Sequence, residues 1–531
     1  MENTHHGRPA ARANSKQSVK GPGKSSSLDM VEANEDDRLS KLPDDILLNI
    51  VERLDIADAA RTTILSRRWK QIPAVLSKIV IMAGSFEPKH KEWSKLTSDD
   101  IVRANTTVLE ATRSILERRA GSLYPIHMLR IQFYLGDESI LIGQTVANTM
   151  TTQKVASAEF TILTKVRKKC ANNDLLTYGK QFMSFFDACP NAFGGLVRLT
   201  LENLRLGESD FPKIFSMCKQ LEFLSLYECD MGIQSFLEVE HPQLGELVIV
   251  CGRLERVDLK WAPKLTKLKF NIFRCKDDPF CLGYVPLLHT VSIINVAFTW
   301  HKMLKLSELL DKAAISNLTL DFKSEKIWVK PEGRRQLLPV FHKLRIVNWI
   351  NIAEECDLTW TMFLLHGAPN LKELHILVNS CTDSPILIFD VQTLCDQLGI
   401  FLPDRMQVRN HLCEMVTGKR RELPVVCKEK DKGLEWEPST SDFKHHNLAA
   451  LSIYGRFHAV DKLVRFARNV VEAAVNLEDI RLYKSPVCVR CKHMLQEWTF
   501  EETSWLSYEF SKEIPSVVRI HFPSLGQVFS K

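Results

Sequence analysis

The feature that most restricts how this 531-residue chain can fold is a short apolar pattern that recurs along it. In every copy an apolar residue is followed by two residues, a second apolar residue, one residue and a third apolar residue. Successive copies begin 21 to 30 residues apart, which indicates one structural unit repeated side by side. The clear copies are Leu196-Leu199-Leu201, Leu221-Leu224-Leu226, Leu244-Leu247-Ile249, Leu265-Leu268-Phe270, Leu288-Val291-Ile293, Ile315-Leu318-Leu320, Phe341-Leu344-Ile346 and Leu371-Leu374-Ile376.

Each copy predicts a short strand with one buried face. In Leu199-Thr200-Leu201 the two leucines point to one side of a strand and the threonine points to the other. Such a strand can bury its apolar face only against the next copy, so the copies must stack. Segments between strands, such as 211–218, supply a short helix or turn. The pattern is that of a leucine-rich repeat, and it predicts an irregular α/β solenoid over residues 120–380.

Further copies lie outside the regular part of the array. Two of them are separated by a predicted helix from about Ala459 to Ala474. These outlying copies are Ile126-Leu129-Ile131, Leu448-Leu451-Ile453 and Leu477-Ile480-Leu482. An ordinary α/β domain with leucine-rich strands is the alternative interpretation, but its parallel strands would need longer helices between them.

Residues 37–80 carry a different pattern, which predicts three short helices. Leu42-Pro43-Asp44-Asp45 opens the first, because proline suits the first helical position and acids favour the positive end of the helix dipole. One face of this helix is apolar, with Ile46, Leu47, Ile50, Val51 and Leu54. The three helices have more apolar surface than they can bury among themselves, which predicts a partner.

This segment resembles an F-box of the plant type. The resemblance rests on the two strings Leu39-Ser40-Lys41-Leu42-Pro43-Asp44-Asp45-Ile46-Leu47 and Ala60-Arg61-Thr62-Thr63-Ile64-Leu65-Ser66-Arg67-Arg68-Trp69. It implies a non-catalytic substrate receptor of an SCF-type cullin–RING ubiquitin ligase, in which the F-box binds a Skp-type adaptor and through it a cullin. The residues that the resemblance assigns to adaptor binding are Leu42, Pro43, Ile46, Leu47, Ile50, Leu54, Leu65 and Trp69. The alternative is an amphipathic helix pair packed on the rest of the chain.

The predicted architecture is therefore modular and of the α+β class, with a short three-helix F-box followed by the solenoid. A disordered tail is expected over residues 1–36, since they are polar, basic and without hydrophobic periodicity. A charged insertion or loop is expected over 381–446, where the period fails. The last repeats and a C-terminal cap occupy 447–531.

Chemical motifs are missing from the sequence, so no catalytic residue, metal or cofactor is predicted. Cys488 and Cys491 could supply two zinc ligands, but a structural site needs four and no second pair lies nearby. Fourteen dispersed cysteines and an N-terminus without an apolar leader predict reduced thiols in the nucleus or cytoplasm. A net charge of +6 demands neither a nucleic acid nor a membrane as partner.

The target of the repeats cannot be identified from the sequence. Aromatic residues that project from the strands and adjoining loops are candidate contacts, although each is more simply explained as structural: Tyr227, Trp261, Trp349 and Trp360. The alternative function is a non-degradative protein-binding scaffold that uses the same repeats. An enzyme with an unfamiliar site is a third hypothesis, and no sequence feature supports it.

Overall fold

The computed structural model describes most of the chain between residues 42 and 523. The predicted tail, Leu65, Trp69, Cys488, Cys491 and residues 381–442 of the predicted insertion lie outside the described residues. The described ranges are 42–54, 58–59, 62, 75–88, 97–119, 121, 124–165, 170–232, 235–250, 254–271, 277–295, 303–322, 327–353, 356–379, 443–455, 457, 459–484 and 497–523.

The described residues form a mixed α/β fold. Its helices are α1 Asp44–Val51, α2 Ser98–Arg118, α3 Glu138–Thr152, α4 Asn172–Ala188, α5 Pro190–Gly194, α6 Asp210–Met217, α7 Leu306–Leu309, α8 Arg334–Phe341, α9 Met362–Gly367, α10 Val460–Ala473 and α11 Phe500–Ser511. Short 3-10 turns lie at Ala83–Phe86 and Thr359–Thr361. Its strands are β1 Lys78–Met82, β2 Met128–Tyr134, β3 Ala158–Leu163, β4 Leu196–Glu202, β5 Phe223–Tyr227, β6 Phe236–Glu240, β7 Glu246–Val250, β8 Arg256–Trp261, β9 Lys267–Asn271, β10 Phe280–Tyr284, β11 Thr290–Ile294, β12 Asn317–Asp321, β13 Ile346–Ala353, β14 Glu373–Asn379, β15 Ala450–Gly455, β16 Asp479–Lys484 and β17 Arg519–His521.

Fourteen of these strands form one parallel sheet, and their order in the sheet is their order along the chain. Its order is β1-β2-β3-β4-β5-β7-β9-β11-β12-β13-β14-β15-β16-β17. Every copy of the apolar pattern contributes to a strand of this sheet. The predicted short helix near residue 211 and the predicted helix before residue 474 are also confirmed, as α6 and α10.

For one copy of the pattern, the predicted residues were wrong by three positions. Phe341 ends helix α8 instead of leading a strand, and Ile346 is only half-buried. The strand-forming copy is Leu344-Val347-Trp349, whose three side chains are fully buried. The same spacing fits both frames here, and only the helix that ends at Phe341 distinguishes them.

A single apolar row runs through all fourteen strands and explains why they stack. Its members pair in register from strand to strand: Ile81, Ile131, Phe160, Leu199, Leu224, Leu247, Leu268, Val291, Leu318, Val347, Leu374, Leu451, Ile480 and Ile520. All of them are buried except Ile520, which is half-buried. Full burial of one such side chain contributes about 1.5–3 kcal/mol, so the row is a major source of stability.

The sheet begins earlier than the sequence pattern suggested. Leu76-Ile79-Ile81 follows the same spacing and is buried, and β1 pairs in parallel with β2. Strand β3 was also missed, because Ala158 stands where most copies have a leucine or another large aliphatic residue. The sheet therefore begins inside residues 37–80, the segment assigned to the F-box.

Strands β6, β8 and β10 form a second, three-stranded parallel sheet in the order β10-β8-β6. Each of them follows one strand of the large sheet and precedes the next. Leu237 and Val239 of β6 and Val257 and Leu259 of β8 are buried, while the residues between them are exposed or half-buried. This small sheet, whose outer side faces solvent, is a feature that the sequence pattern did not predict.

Buried histidines should make the fold sensitive to acid. Burial lowers the pKa of His241 and His445, and burial together with the charge of Arg334 lowers the pKa of His366 to about 4. A histidine whose pKa is lowered in the folded state does not reduce the free energy of unfolding above about pH 6.5, because its imidazole is neutral in both the folded and the unfolded chain. Below that pH the unfolded chain takes up the proton first, so stability falls until the folded-state pKa is reached.

We therefore expect the free energy of unfolding to fall between about pH 6.5 and pH 4, with His366 contributing about 3 kcal/mol. Urea unfolding measured at several pH values checks this expectation. His366→Phe should flatten the dependence, while the same change at the exposed His446 should leave it as it is. Equal pH dependence in both variants would contradict the assignment.

Candidate adaptor-docking site

The first predicted helix of the F-box segment is present as α1. Pro43 precedes it with φ −56°, and the Pro43 carbonyl oxygen accepts hydrogen bonds from Ile46 N and Leu47 N at 3.2 and 3.1 Å. Asp44 and Asp45 lie in its first turn, where their negative charges interact favourably with the positive end of the helix dipole. Proline therefore lies at the N-cap, one position before the place that the sequence suggested.

Burial divides the apolar face of α1 into two groups. Leu47 and Val51 are 0% and 2% exposed and belong to the hydrophobic core. Ile46 and Leu54 are 44% and 39% exposed. Of the other predicted adaptor contacts, Pro43 is exposed, and Leu42 and Ile50 are half-buried. Leu47 thus fixes the helix to the chain, and of the predicted contacts among the described residues Pro43, Ile46 and Leu54 are exposed.

Hydrogen bonds tie α1 to the first strand of the large sheet. The Glu52 carboxylate, just after the helix, accepts from Ser77 N at 3.0 Å, Ser77 Oγ at 2.6 Å and Lys78 N at 3.3 Å. Fully buried Arg119, after α2, donates to the Leu76 carbonyl oxygen at 2.6 Å. The exposed face of α1 is therefore held in a fixed orientation relative to β1.

Neither Glu52 nor Arg119 was singled out from the sequence. A glutamate at the end of an amphipathic helix and an arginine in a basic pair look like ordinary surface residues. Their partners are 25 and 43 residues away along the chain, and no local pattern connects them. Only the fold brings these groups together.

The large sheet offers the other candidate surface, which carries a polar and aromatic strip. Arg130 pairs with Glu159 at 2.6 Å, and Arg198 lies 3.7 Å from the ring centre of Phe223. Burial is the main cause that lowers the pKa of Arg198. The adjoining strands β5 and β7 add a small apolar cluster of Phe223, Val248 and Val250.

The four aromatic candidates for target contact differ in their burial and in their position in the fold. Trp349 and Trp360 are 0% and 3% exposed, and their ring centres lie 5.1 Å apart in the core. They are structural. Tyr227 is half-buried at the end of β5. Trp261 is 44% exposed, but it belongs to the small sheet and not to the large one.

The described cysteines are free thiols, and all but Cys281 are buried. Burial raises the pKa of Cys218 and of Cys229 to about 12, so both thiols are protonated at neutral pH. In the described part of the chain, His, Cys, Asp and Glu side chains do not gather in threes where an ion could bind. Among the described helices, none has the length and apolar character needed to cross a bilayer.

Comparison with known proteins matches both parts of the chain. The family model of the F-box domain matches residues 39–75. The model described as "FBD-associated F-box protein At5g56370, LRR repeats" matches residues 156–313. Neither description is that of an enzyme.

Similar proteins of Arabidopsis thaliana are named as F-box proteins. F-box protein At1g67390 is 40% identical over 368 residues, which are 64% of this chain and 72% of that protein. F-box/FBD/LRR-repeat protein At3g52680 is 25% identical over 349 residues, 64% of this chain and 71% of that protein. F-box protein At1g80960 is 24% identical over 235 residues, 44% of each chain.

Proposed function

We propose a function from one premise: the chain belongs to the plant-type F-box proteins with leucine-rich repeats. It is a substrate-recognition subunit of an SCF-type cullin–RING ubiquitin ligase, acting in the nucleus or cytoplasm. The F-box segment of residues 37–80 docks to the Skp-type adaptor and through it to a cullin. The repeats form an irregular solenoid that binds a protein target.

The observation that supports adaptor docking most directly is the exposed apolar face of α1. Ile46 on α1 and Leu54 just after it are about two-fifths exposed, while Leu47, Val51 and Glu52 fix the helix to the rest of the chain. Aliphatic side chains in a compact, pre-oriented patch are the kind of surface that provides interface hot spots. A helix anchored in this way loses little further freedom when it binds.

The mechanism is recruitment and not chemistry in this chain. Holding the adaptor at one end and a target along the repeats raises the effective concentration of the target near the charged conjugating enzyme. No residue of this protein forms a thioester or transfers ubiquitin in this proposal. Target choice depends on residues that project from the strands and adjoining loops.

Ile46→Glu and Leu54→Glu should reduce capture of the Skp-type adaptor by the full chain about tenfold or more, since each places a charge in an apolar interface. Co-purification from cells that express both proteins measures this. Val102→Glu on α2 is the matched control, because Val102 is 46% exposed on another helix. The control should bind the adaptor as the unaltered chain does.

A double variant tests two of the residues that the resemblance assigns to adaptor binding. Pro43→Ala combined with Trp69→Ala should also reduce adaptor capture. Unchanged capture by this double variant and by both glutamate variants would refute the ligase function and leave the non-degradative scaffold. Loss of capture by Val102→Glu as well would mean that the effect is not specific to α1.

A further inference from the structure

The small sheet carries an exposed row that neither the adaptor nor the large sheet uses. Trp261 of β8 pairs in register with Tyr284 of β10 on one side and with Glu240 of β6 on the other. Neighbouring strands are about 4.8 Å apart, so the three residues lie side by side at the end of the sheet. Trp261 and Tyr284 are 44% and 56% exposed, and Glu240 is exposed as well.

Two other exposed rings lie close to cations of the chain itself. Arg256 lies 5.3 Å from the ring centre of Phe236, and Lys512 lies 4.3 Å from that of Tyr508. No described cation lies over the ring of Trp261 or Tyr284. These two exposed rings, on adjacent strands of one small sheet, can therefore receive a cation from outside the chain.

The charges of the small sheet also favour binding of a positive group. Lys260 pairs with Glu238 at 2.6 Å, and Arg256 pairs with Asp258 at 2.6 Å. Within the described residues, this leaves Glu240 as the carboxylate of the small sheet that makes no ion pair. Glu240 is close enough to Lys260 to help raise the pKa of that lysine. Lys260 is paired with Glu238, however, so the carboxylate oxygens of Glu240 can still accept from a cation outside the chain.

We propose that the row of Glu240, Trp261 and Tyr284 binds an arginine side chain of a partner protein. A guanidinium group is planar and weakly hydrated, so it can stack on an aromatic face while its N–H groups donate to a carboxylate. A lysine ammonium group is more strongly hydrated and cannot donate in that paired geometry, so it fits the row less well. The site is independent of α1, and adaptor docking plays no part in it.

The test is a titration of the full chain with a fluorescein-labelled peptide of three arginines separated by glycines, followed by fluorescence anisotropy. Trp261→Ala and Tyr284→Ala should each weaken binding about two- to fivefold, the effect of one exposed cation–π contact. Glu240→Gln should weaken it to a similar extent. The same peptide with lysine in place of arginine should bind more weakly to the unaltered chain.

Trp505→Ala is the matched control, because Trp505 is 49% exposed on α11, away from the small sheet. It should leave arginine-peptide binding unchanged, and Trp261→Phe should keep most of it, since phenylalanine retains a ring face. Equal affinity in Trp261→Ala and in the unaltered chain would overturn the proposal. So would equal weakening by Trp505→Ala. Adaptor capture by the Trp261 variants should be normal, which separates this test from that of α1.

Discussion

Replacing Phe193 by alanine should lower the free energy of unfolding by about 4 kcal/mol, among the largest losses that a single truncation causes. Phe193 is fully buried in α5. Its ring centre lies between 4.7 and 5.9 Å from those of four other rings: Phe160, Phe182, Phe185 and Phe186. The alanine variant leaves a cavity lined by rings of α4 and β3, and these two elements cannot both move inward to fill it.

Equilibrium unfolding in urea measures this loss, with Phe500→Ala as the control. Phe500 is 86% exposed at the start of α11, so its truncation should change the free energy of unfolding by less than about 0.5 kcal/mol. A loss at Phe193 no larger than that at Phe500 would mean that the aromatic cluster does not pack as described.

Gly179→Ala should destabilise the chain by about 3 kcal/mol, because it adds a methyl group where a backbone passes. A β-carbon at this position in α4 would lie 1.9 Å from the carbonyl oxygen of Arg205. The backbone at Arg205 cannot easily move away from α4. Arg205 N donates to the Leu175 carbonyl oxygen at 3.0 Å, and its guanidinium group donates to buried Asp230 at 2.8 Å.

Gly84→Ala tests whether that effect comes from crowding. At Gly84 the nearest atom to an added β-carbon is Gln132 Oε1, 4.0 Å away. This variant should therefore unfold at nearly the same urea concentration as the unaltered chain. If Gly179→Ala behaved like Gly84→Ala, the close contact between α4 and the segment at Arg205 would be wrong.

The sequence predicted the large sheet well because one physical requirement repeats along it. Each strand must bury an apolar row against the next, so the spacing is visible wherever the residues are large. Prediction failed where that signal was weak or was assigned to another unit. Ala158 is too small to stand out in β3, and Leu76 and Ile79 fall inside residues 37–80, which were assigned to the F-box.

The small sheet and the details of the docking helix were harder to predict. Leu237 and Val239 alternate with exposed residues, as in any half-buried strand, but the segments between repeats were expected to be helices or turns. On α1 the periodicity identified one apolar face, and it could not tell Leu47, which packs inward, from Ile46, which is exposed. That division depends on the contacts of α1 with the rest of the fold.

The unbroken order of the large sheet has a consequence for distance. Fourteen strands are separated by thirteen spacings of about 4.8 Å, or about 62 Å measured along the sheet. A target bound at β5 would lie four spacings, about 19 Å, from β1, and one bound at β16 twelve spacings, about 58 Å. Under the proposed function, the position of the repeat that binds a target sets the distance between that target and the adaptor. This distance determines which lysines of the target can reach the conjugating enzyme.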